Sequence, residues 1–322
     1  VVSITNCTST SEKQYAISLA GKSQNVTLKG NTAIRKSGIG PAVNIHGSVK
    51  AVIDDLIAES ASTFALVVAG TSDVTINSGK YKAAYAALNV TGSGKVHYPE
   101  GKVMNNTPDG DGYFTLINEQ DYVSKKVAQI GENIYESVDD AIKAVQDGET
   151  IKLVDDGYLL NSATLGDKTV PASCTIDLNG HKLTLGATLS LYQTLTILDS
   201  TGAKSVLDFQ SLISAKETAG LILKDLTINS AQGKYVTSWI QSETGLQILN
   251  CTINQNGSRL INGQSSFNAP VLVKDCVVNG TNGGYFEVRM SDETEAVKVL
   301  IENTVITVDE SAKRGLYLTC GN

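Results

Sequence analysis

The chain has 322 residues, of which 41% are hydrophobic but only 6% aromatic, and it carries a net charge of -7. A core with so few large rings must be built from stacked Val, Ile, Leu and Ala, which favours one elongated repeat array over two ordinary globular domains. Lys and Arg are scattered, which excludes a nucleic-acid partner. No run of about 18 apolar residues offers a membrane-inserted segment.

A repeated marker runs along most of the chain: an apolar residue, any residue, and then a small or polar residue that opens a turn. Successive markers lie roughly 23 to 28 residues apart within each half of the chain, and a fixed period of this length is typical of solenoids. The marker residues are Asn6, Gly30, Asp55 and Ser78 in the first half, and Asp199, Asp225, Asn250, Asp275 and Asn303 in the second.

Each interval between markers contains two or three short β-rich runs separated by Gly, Asn, Asp and Ser. Alternation of apolar and polar residues sends Ile, Val, Leu and Ala inward and Lys, Thr, Glu and Gln outward. Asn or Asp at the marker suits a corner, where its side chain bonds the backbone and its counterpart one coil away. We therefore predict an all-β fold, a right-handed parallel β-helix with about 25 residues per coil.

The first predicted domain comprises uncapped coils over residues 1–98, and residues 99–126 form a connector. The connector contains Asp109 and Asp111 in an Asp-Gly-Asp-Gly stretch that could hold Ca²⁺. Because the further acidic positions of an EF-hand loop are missing, a plain turn is favoured. The apolar segment 113–117 is expected to pack on the cap of the next domain or on a neighbouring molecule.

The second predicted domain spans residues 127–322, with a cap over 127–156 and coils over 157–322. One apolar stripe predicts a short capping α-helix at about 138–147. Ser137 can cap its first turn and Gly148 can stop it. Such an element is expected because the first coil of a solenoid otherwise exposes an apolar cross-section.

This cap, followed by residues Thr175–Leu183 (TIDLNGHKL), resembles the opening of right-handed parallel β-helix proteins of the pectate-lyase-like superfold, in the form common on prokaryotic secreted and surface proteins. The resemblance covers residues 127–322 well and residues 1–98 through the coil pattern alone. It implies a β-helix fold and an extracellular or cell-surface setting. It does not imply lyase activity.

Three of the five cysteines, Cys7, Cys251 and Cys276, follow a marker directly, which indicates small apolar residues in equivalent core positions. A disulfide between Cys251 and Cys276 in adjacent coils is the main alternative. No metal site or cofactor is predicted, since no C-x-x-C occurs and the three histidines are dispersed.

Both ends of the array look open, because four coils precede the cap and no closing element follows Asn303. The residues from Asn303 to the end of one chain, together with those up to Asn6 of a following chain, add up to one coil length. Three arrangements fit: head-to-tail stacking of coil 1–24 on coil 297–322 of another subunit, a permuted monomer, or a segment of a tandem adhesin-like array. We favour the first. The predicted assembly residues are Val1, Val2, Ile4, Asn6, Cys7, Leu316, Leu318 and Cys320.

An active site is not evident in the sequence. Paired acids such as Asp155 and Asp156 close a strand at a turn, where solvated carboxylates are expected, and no His has a triad partner. For the charged residues near the C-terminal end, a row of outward-facing salt bridges is favoured over a sugar-binding patch. That candidate carbohydrate-binding patch consists of Trp239, Arg259, Glu287, Arg289 and Tyr317.

The sequence thus predicts a processed, extracellular, non-enzymatic structural protein whose partner is a second copy of itself. The alternative is a polysaccharide-binding surface protein, or a polysaccharide lyase or hydrolase.

Overall fold

The computed structural model describes residues 1–38, 40–62, 64–166, 173–215, 219–231, 233, 237–238, 245–257, 261–262, 270–284, 286–289, 299–312 and 315–319. The chain divides into two compact units, Val1–Lys125 and Lys126–Asn322.

The first unit is built from short strands. In chain order they are β1 (Val2–Thr5), β2 (Thr8–Ser11), β3 (Ile17–Lys29), β4 (Thr32–Arg35), β5 (Val43–Asp54), β6 (Leu56–Ser60), β7 (Phe64–Val68), β8 (Asp73–Ile76), β9 (Gly79–Lys82), β10 (Ala86–Val90), β11 (Lys95–His97), β12 (Lys102–Met104) and β13 (Leu116–Asn118), followed by a 3-10 turn at Glu119–Asp121.

These strands stack in parallel ladders. One sheet runs in the order β1-β3-β5-β7-β10, a second in the order β2-β4-β6-β9, and β8 joins β5 to β11. Val2 pairs with Val26, Val26 with Ala51, and Ala51 with Val74. The register therefore advances by the predicted coil length at every turn of the chain.

A column of glycines forms one corner of the first unit: Gly47, Gly70 and Gly92 have φ of +93°, +72° and +67°. A Cβ placed on Gly47 would lie 2.5 Å from the carbonyl oxygen of Gly21, and one on Gly70 would lie 2.5 Å from that of Gly47. The corner is therefore restricted to glycine by both backbone conformation and the close approach of the coils.

Residues 99–125 of the predicted connector belong to the first unit. Strands β12 and β13 form an antiparallel hairpin, and Phe114 makes an antiparallel bridge to Tyr81. Phe114 is 2% exposed and belongs to the same core cluster as Tyr81. The hydroxyl of the neighbouring Tyr113 donates a hydrogen bond to Glu59. The apolar segment 113–117 thus closes onto coils of its own unit.

The second unit begins with the predicted cap. Its elements are β14 (Ala128–Ile130), β15 (Asn133–Tyr135), α1 (Val138–Ala144), β16 (Thr150–Leu153), β17 (Gly157–Leu159), β18 (Ala163–Leu165), β19 (Ser173–Asp177), β20 (Leu183–Leu185), β21 (Leu189–Leu191), β22 (Thr194–Leu198), β23 (Val206–Phe209), β24 (Ile213–Ala215), β25 (Leu221–Lys224), β26 (Thr227–Ser230), β27 (Thr237–Ser238), β28 (Leu246–Leu249), β29 (Thr252–Asn256), β30 (Ile261–Asn262), β31 (Val271–Lys274), β32 (Val277–Thr281), β33 (Phe286–Arg289), β34 (Val299–Glu302), β35 (Val305–Val308) and β36 (Leu316–Thr319).

Three long ladders form the faces of the second unit: β16-β19-β22-β25-β28-β31-β34, β17-β20-β23-β26-β29-β32-β35 and β18-β21-β24-β27-β30. Their inward residues stack in apolar columns, each buried member of which contributes roughly 1.5–3 kcal/mol. One column, in register from coil to coil, consists of Ile151, Ile176, Ile197, Leu223, Ile248 and Val273.

The cap covers the first coil of the second unit. Ser137 accepts a hydrogen bond from the backbone of Asp140 as the helix begins, and the β14–β15 hairpin adds two antiparallel strands to the β16 edge. Buried Asp139 accepts hydrogen bonds from the backbone amides of Leu160 and Asn161, at 2.9 and 2.8 Å. Asp139 therefore ties the helix to the first coil.

The helix ends at Ala144, earlier than the predicted limit near residue 147. The backbone of Gly148 and the carboxylate of Asp147 bond to Ser173 in the next coil, so this segment follows the coil and not the helix. The all-β parallel β-helix of about 25 residues per turn with one short helix is confirmed. Within the described residues, no helix is long and apolar enough to cross a membrane.

Candidate assembly interface

Each unit has terminal strands with one uncovered edge. In the first unit β1 pairs with β3 and β2 pairs with β4; in the second, β34 pairs with β31 and β35 with β32. None of these four strands has a second neighbour within the part of the chain that the structure describes. Among these residues, the outer backbone groups of the four strands take part in no ladder.

The inward side chains of these edge strands are incompletely covered. Val2 is 44% exposed, whereas its register partner Val26 is 4% exposed. Ile4 is half-buried, as are Val299 and Ile301 in the last described coil. The register partners of these residues in the adjacent coil, Val26, Leu28, Val271 and Val273, are buried. The apolar core is therefore partly exposed at these edges.

The corner after each edge strand has a distinctive geometry. Asn6 and Asn303 have φ of 54° and 49°, which matches Asp225, Asn250 and Asp275 at 51° to 57°. Each follows a strand, and one residue separates it from the next strand. Asn and Asp tolerate this left-handed conformation because their side chains bond nearby backbone. These residues are the markers that the sequence predicted as corners.

The corner residues connect coils in both directions. The side-chain amide of Asn250 donates to Asp225 Oδ1 at 2.7 Å, and that of Asn303 donates to Asp275 Oδ1 at 3.1 Å, each toward the preceding coil. The backbone N–H of Asn250 donates to the Lys274 carbonyl in the following coil. Among the described residues, the backbone N–H of Asn303 has no acceptor.

The residue after the corner makes a second recurring contact. The backbone N–H of Cys251 donates to Cys276 Sγ at 3.5 Å, and that of Cys276 to Thr304 Oγ1 at 3.4 Å. In the first unit the backbone N–H of Cys7 donates to Asn31 Oδ1 at 2.9 Å. Each amide thus uses the side chain at the same position one coil later.

The cysteines at this position differ in environment. Cys251 and Cys276 are buried and free, as predicted for core positions, and no disulfide joins them. Burial raises the pKa of the Cys251 thiol to about 12 and also raises the pKa of Cys276. Cys7 was predicted for the same kind of core position, but it is free and exposed, so the prediction is wrong for this residue.

The remaining predicted assembly residues lie near the last described strand or at the first residue. Val1 is fully exposed and Leu316, at the start of β36, is 43% exposed. Leu318 belongs to β36, but its side chain lies outside the described residues, as does all of Cys320.

The predicted carbohydrate patch falls largely outside the described residues. Trp239 and Arg259 are not described, and the side chains of Glu287, Arg289 and Tyr317 are not described either. The backbone register places Glu287 of β33 beside Tyr317 of β36. A sugar-binding role for these residues stays a prediction.

The Asp-Gly-Asp-Gly stretch forms a turn. Asp109 Oδ1 accepts hydrogen bonds from the backbone amides of Asp111 and Tyr113, at 3.0 and 2.9 Å. Lys82 Nζ donates to the Asp111 carbonyl at 2.9 Å, where its positive charge would repel Ca²⁺. These contacts favour the plain turn.

One cluster was missed from the sequence. The side chains of Asp155, Asp156 and His181 meet on adjacent turns of the second unit, with one ligand atom of each within 4.8 Å of the others. The positions of these residues in the sequence did not indicate the cluster, because the carboxylates and the imidazole belong to different coils.

No protein-family model, no curated protein and no solved structure matches the chain. The β-helix architecture that the family resemblance implied is present in the strand ladders. Its finer implications, a pectate-lyase-like type and secretion, stay predictions.

Proposed function

We propose that this protein is a non-enzymatic structural subunit that assembles head to tail by stacking coil 1–24 of one copy on coil 297–322 of the next. The observation that carries the proposal is the shared corner module: a four-residue strand, a left-handed Asn and one residue before the next strand, present at both the β1–β2 edge and the β34–β35 edge.

The inward side chains of the two edges match in register. Val2 and Ile4 align with buried Val26 and Leu28, and Val299 and Ile301 align with buried Val271 and Val273. Placing Asn6 over Asn303 therefore sets Val2 over Val299 and Ile4 over Ile301. This stacking continues the apolar column and covers side chains that are partly exposed in the single copy.

The same alignment provides partners for the uncovered polar groups. By analogy with the coils within the second unit, the Asn303 backbone N–H would donate to the Thr5 carbonyl, and the Asn6 side-chain amide to Asn303 Oδ1. The Thr304 backbone N–H would donate to Cys7 Sγ, as Cys251 does to Cys276. The repeat contacts of the fold are thus reproduced across the junction.

Electrostatics and polar satisfaction favour this junction. Strands β1 and β2 contain no charged residue, and Glu302 of β34 is paired with Lys274 at 3.3 Å. Ser9 and Ser11 face inward in β2, but Ser9 donates to a carbonyl and Ser11 accepts from a backbone amide. Each hydroxyl therefore keeps one hydrogen bond within its own chain on burial.

The extracellular or cell-surface setting of this proposal is supported by the resemblance of residues 127–183 to secreted β-helix proteins. The homopolymer is supported independently by the edge geometry.

Sedimentation velocity and negative-stain imaging at micromolar concentration test the assembly. We expect the wild type to form elongated oligomers and both Ile4→Asp and Ile301→Asp to be monomeric, because each buries a charge at one edge. The matched control is Val52→Asp, which places the same charge on an outward, 38% exposed position of a strand paired on both sides.

Mixing the two variants sharpens the test. Ile4→Asp retains the β34 edge and Ile301→Asp retains the β1 edge, so an equimolar mixture should form dimers that cannot extend. Side-by-side or nonspecific association would not give this result. A wild-type monomer at all concentrations, as a permuted monomer or a segment of a longer array would show, would refute the proposal.

A further inference from the structure

The cluster of Asp155, Asp156 and His181 lies where two turns of the second unit stack. Asp155 and Asp156 lie between β16 and β17, and His181 lies between β19 and β20, one coil later. The Gly157 amide donates to the Lys182 carbonyl at 2.8 Å, and the Lys182 amide donates to Asp156 Oδ1 at 2.9 Å. These bonds hold the two turns against each other and hold the Asp156 carboxylate between them.

The separations suit coordination better than direct pairing. His181 Nδ1 lies 3.9 Å from Asp156 Oδ1, which is too long for a hydrogen bond. One ligand atom of each residue lies within 4.8 Å of the other two. Ligands about 2.0–2.2 Å from a common ion fall in this range after small side-chain rotations.

The donor set selects the ion. One imidazole nitrogen and two carboxylate oxygens suit a borderline divalent metal such as Zn²⁺. Ca²⁺ prefers six to eight oxygen ligands, so the imidazole argues against it. We propose that Asp155, Asp156 and His181 form a Zn²⁺-binding site with three protein ligands and water in the remaining position.

The surroundings permit entry and retention of the ion. The His181 side chain is one-third exposed and that of Asp156 is mostly exposed, so solvent reaches the site. The ammonium of the neighbouring Lys182 forms an ion pair with Asp208. The backbone N–H of His181 donates to the Leu178 carbonyl at 2.8 Å, which holds its turn closed.

A bound ion would join the first two coils immediately beside the cap. Because the ligands belong to turns that are already stacked, binding requires side-chain rotation without backbone rearrangement. The site is independent of the assembly edges, since it uses neither β1 nor β34.

Calorimetric titration of untagged protein with ZnCl₂ tests the site, in a Cys7→Ser, Cys320→Ser background. These substitutions remove two competing ligands, the exposed thiol of Cys7 and the thiol of Cys320, which lies outside the described residues. We expect one Zn²⁺ per chain, with affinity reduced roughly tenfold or more by His181→Ala or Asp156→Asn. His97→Ala is the matched control, because His97 pairs with a single carboxylate, Asp73, in the first unit. Circular dichroism verifies that each variant folds.

Two further readouts decide the chemistry. Co²⁺ should give a visible absorption band that His181→Ala removes, and acidification should weaken binding because the imidazole must be deprotonated to coordinate. Absence of Zn²⁺ binding, binding unaffected by His181→Ala, or tighter binding of Ca²⁺ than of Zn²⁺ would overturn the proposal.

Discussion

Substituting Gly70 by Ala probes the close approach of coils at the glycine corner. Gly70 has φ of +72°, and a Cβ there would lie 2.5 Å from the carbonyl oxygen of Gly47 and 3.0 Å from its nitrogen. That carbonyl already accepts the Thr71 backbone N–H at 2.7 Å. The neighbouring coil cannot move away without losing this bond.

The expected cost separates into two parts. A left-handed Ala costs about 1–2 kcal/mol, offset by about 0.4–1 kcal/mol from the restricted unfolded chain. Overpacking adds about 1–3 kcal/mol and the weakened Thr71 hydrogen bond about 1 kcal/mol. We expect Gly70→Ala to lower the free energy of unfolding of the first unit by about 2–6 kcal/mol.

Two glycines of the same unit provide matched controls. Gly101 has nearly the same φ, +67°, and a Cβ added there would meet nothing within 4 Å, so Gly101→Ala measures the conformational cost alone. Gly110 has open space and no positive φ, so Gly110→Ala should be close to neutral. Urea denaturation followed by circular dichroism gives the stabilities, and hydrogen exchange of peptides from β5 to β8 localises the effect. If Gly70→Ala and Gly101→Ala cost the same, contact between coils is not what excludes a side chain.

Two further outcomes follow from buried groups. Tyr81 is fully buried, and its hydroxyl has no partner among the described residues. We therefore expect Tyr81→Phe to increase the free energy of unfolding by about 1 kcal/mol and to raise the melting temperature. The control Tyr113→Phe, which loses a hydrogen bond to Glu59, should not raise the melting temperature. Burial raises the pKa of the Cys251 thiol to about 12, above its ordinary value of about 8.5. The buried neutral thiol therefore makes its full contribution to the free energy of unfolding below about pH 8.5. This contribution is lost as the pH rises toward 12. Denaturation from pH 8 to 11 should show a shallower decline for Cys251→Ala than for the wild type, and equal slopes would contradict the assignment.

The corner chemistry was predictable because it is local. Asp225, Asn250 and Asp275 were recognised from their spacing, and each takes the left-handed conformation. The prediction is wrong by a few residues where the turn is longer. Asp199 was predicted as the corner residue, but it is buried and bonds the turn backbone, and Lys204 has the positive φ in that coil. The marker pattern identifies a turn but not which of its residues adopts the special conformation.

Contacts between coils were harder to predict. The link between Phe114 and Tyr81 depends on a hairpin that folds back on its own unit. An apolar segment does not reveal which surface it covers, so the sequence left the cap and a neighbouring molecule as its expected partners.

The metal-binding cluster was missed for a related reason. His181 reaches the carboxylates of the preceding turn because the ladder pairs Gly157 with Leu183. The next coil is shorter, since its ladder pairs Thr175 with Thr196. With coil length this variable, sequence alone does not align side chains on neighbouring turns.

The coil period also governs how the chain can fold. In the described residues, every parallel ladder joins positions that lie about one coil apart, whether in a short coil, as for Thr175 and Thr196, or in a long one, as for Phe286 and Leu316. Loop-closure entropy therefore opposes each step by a similar, modest amount, and no ladder waits for a distant part of the chain. Each finished coil is a template for the next, and the helix tied down by Asp139 offers the second unit a closed starting surface from which this sequential addition can proceed.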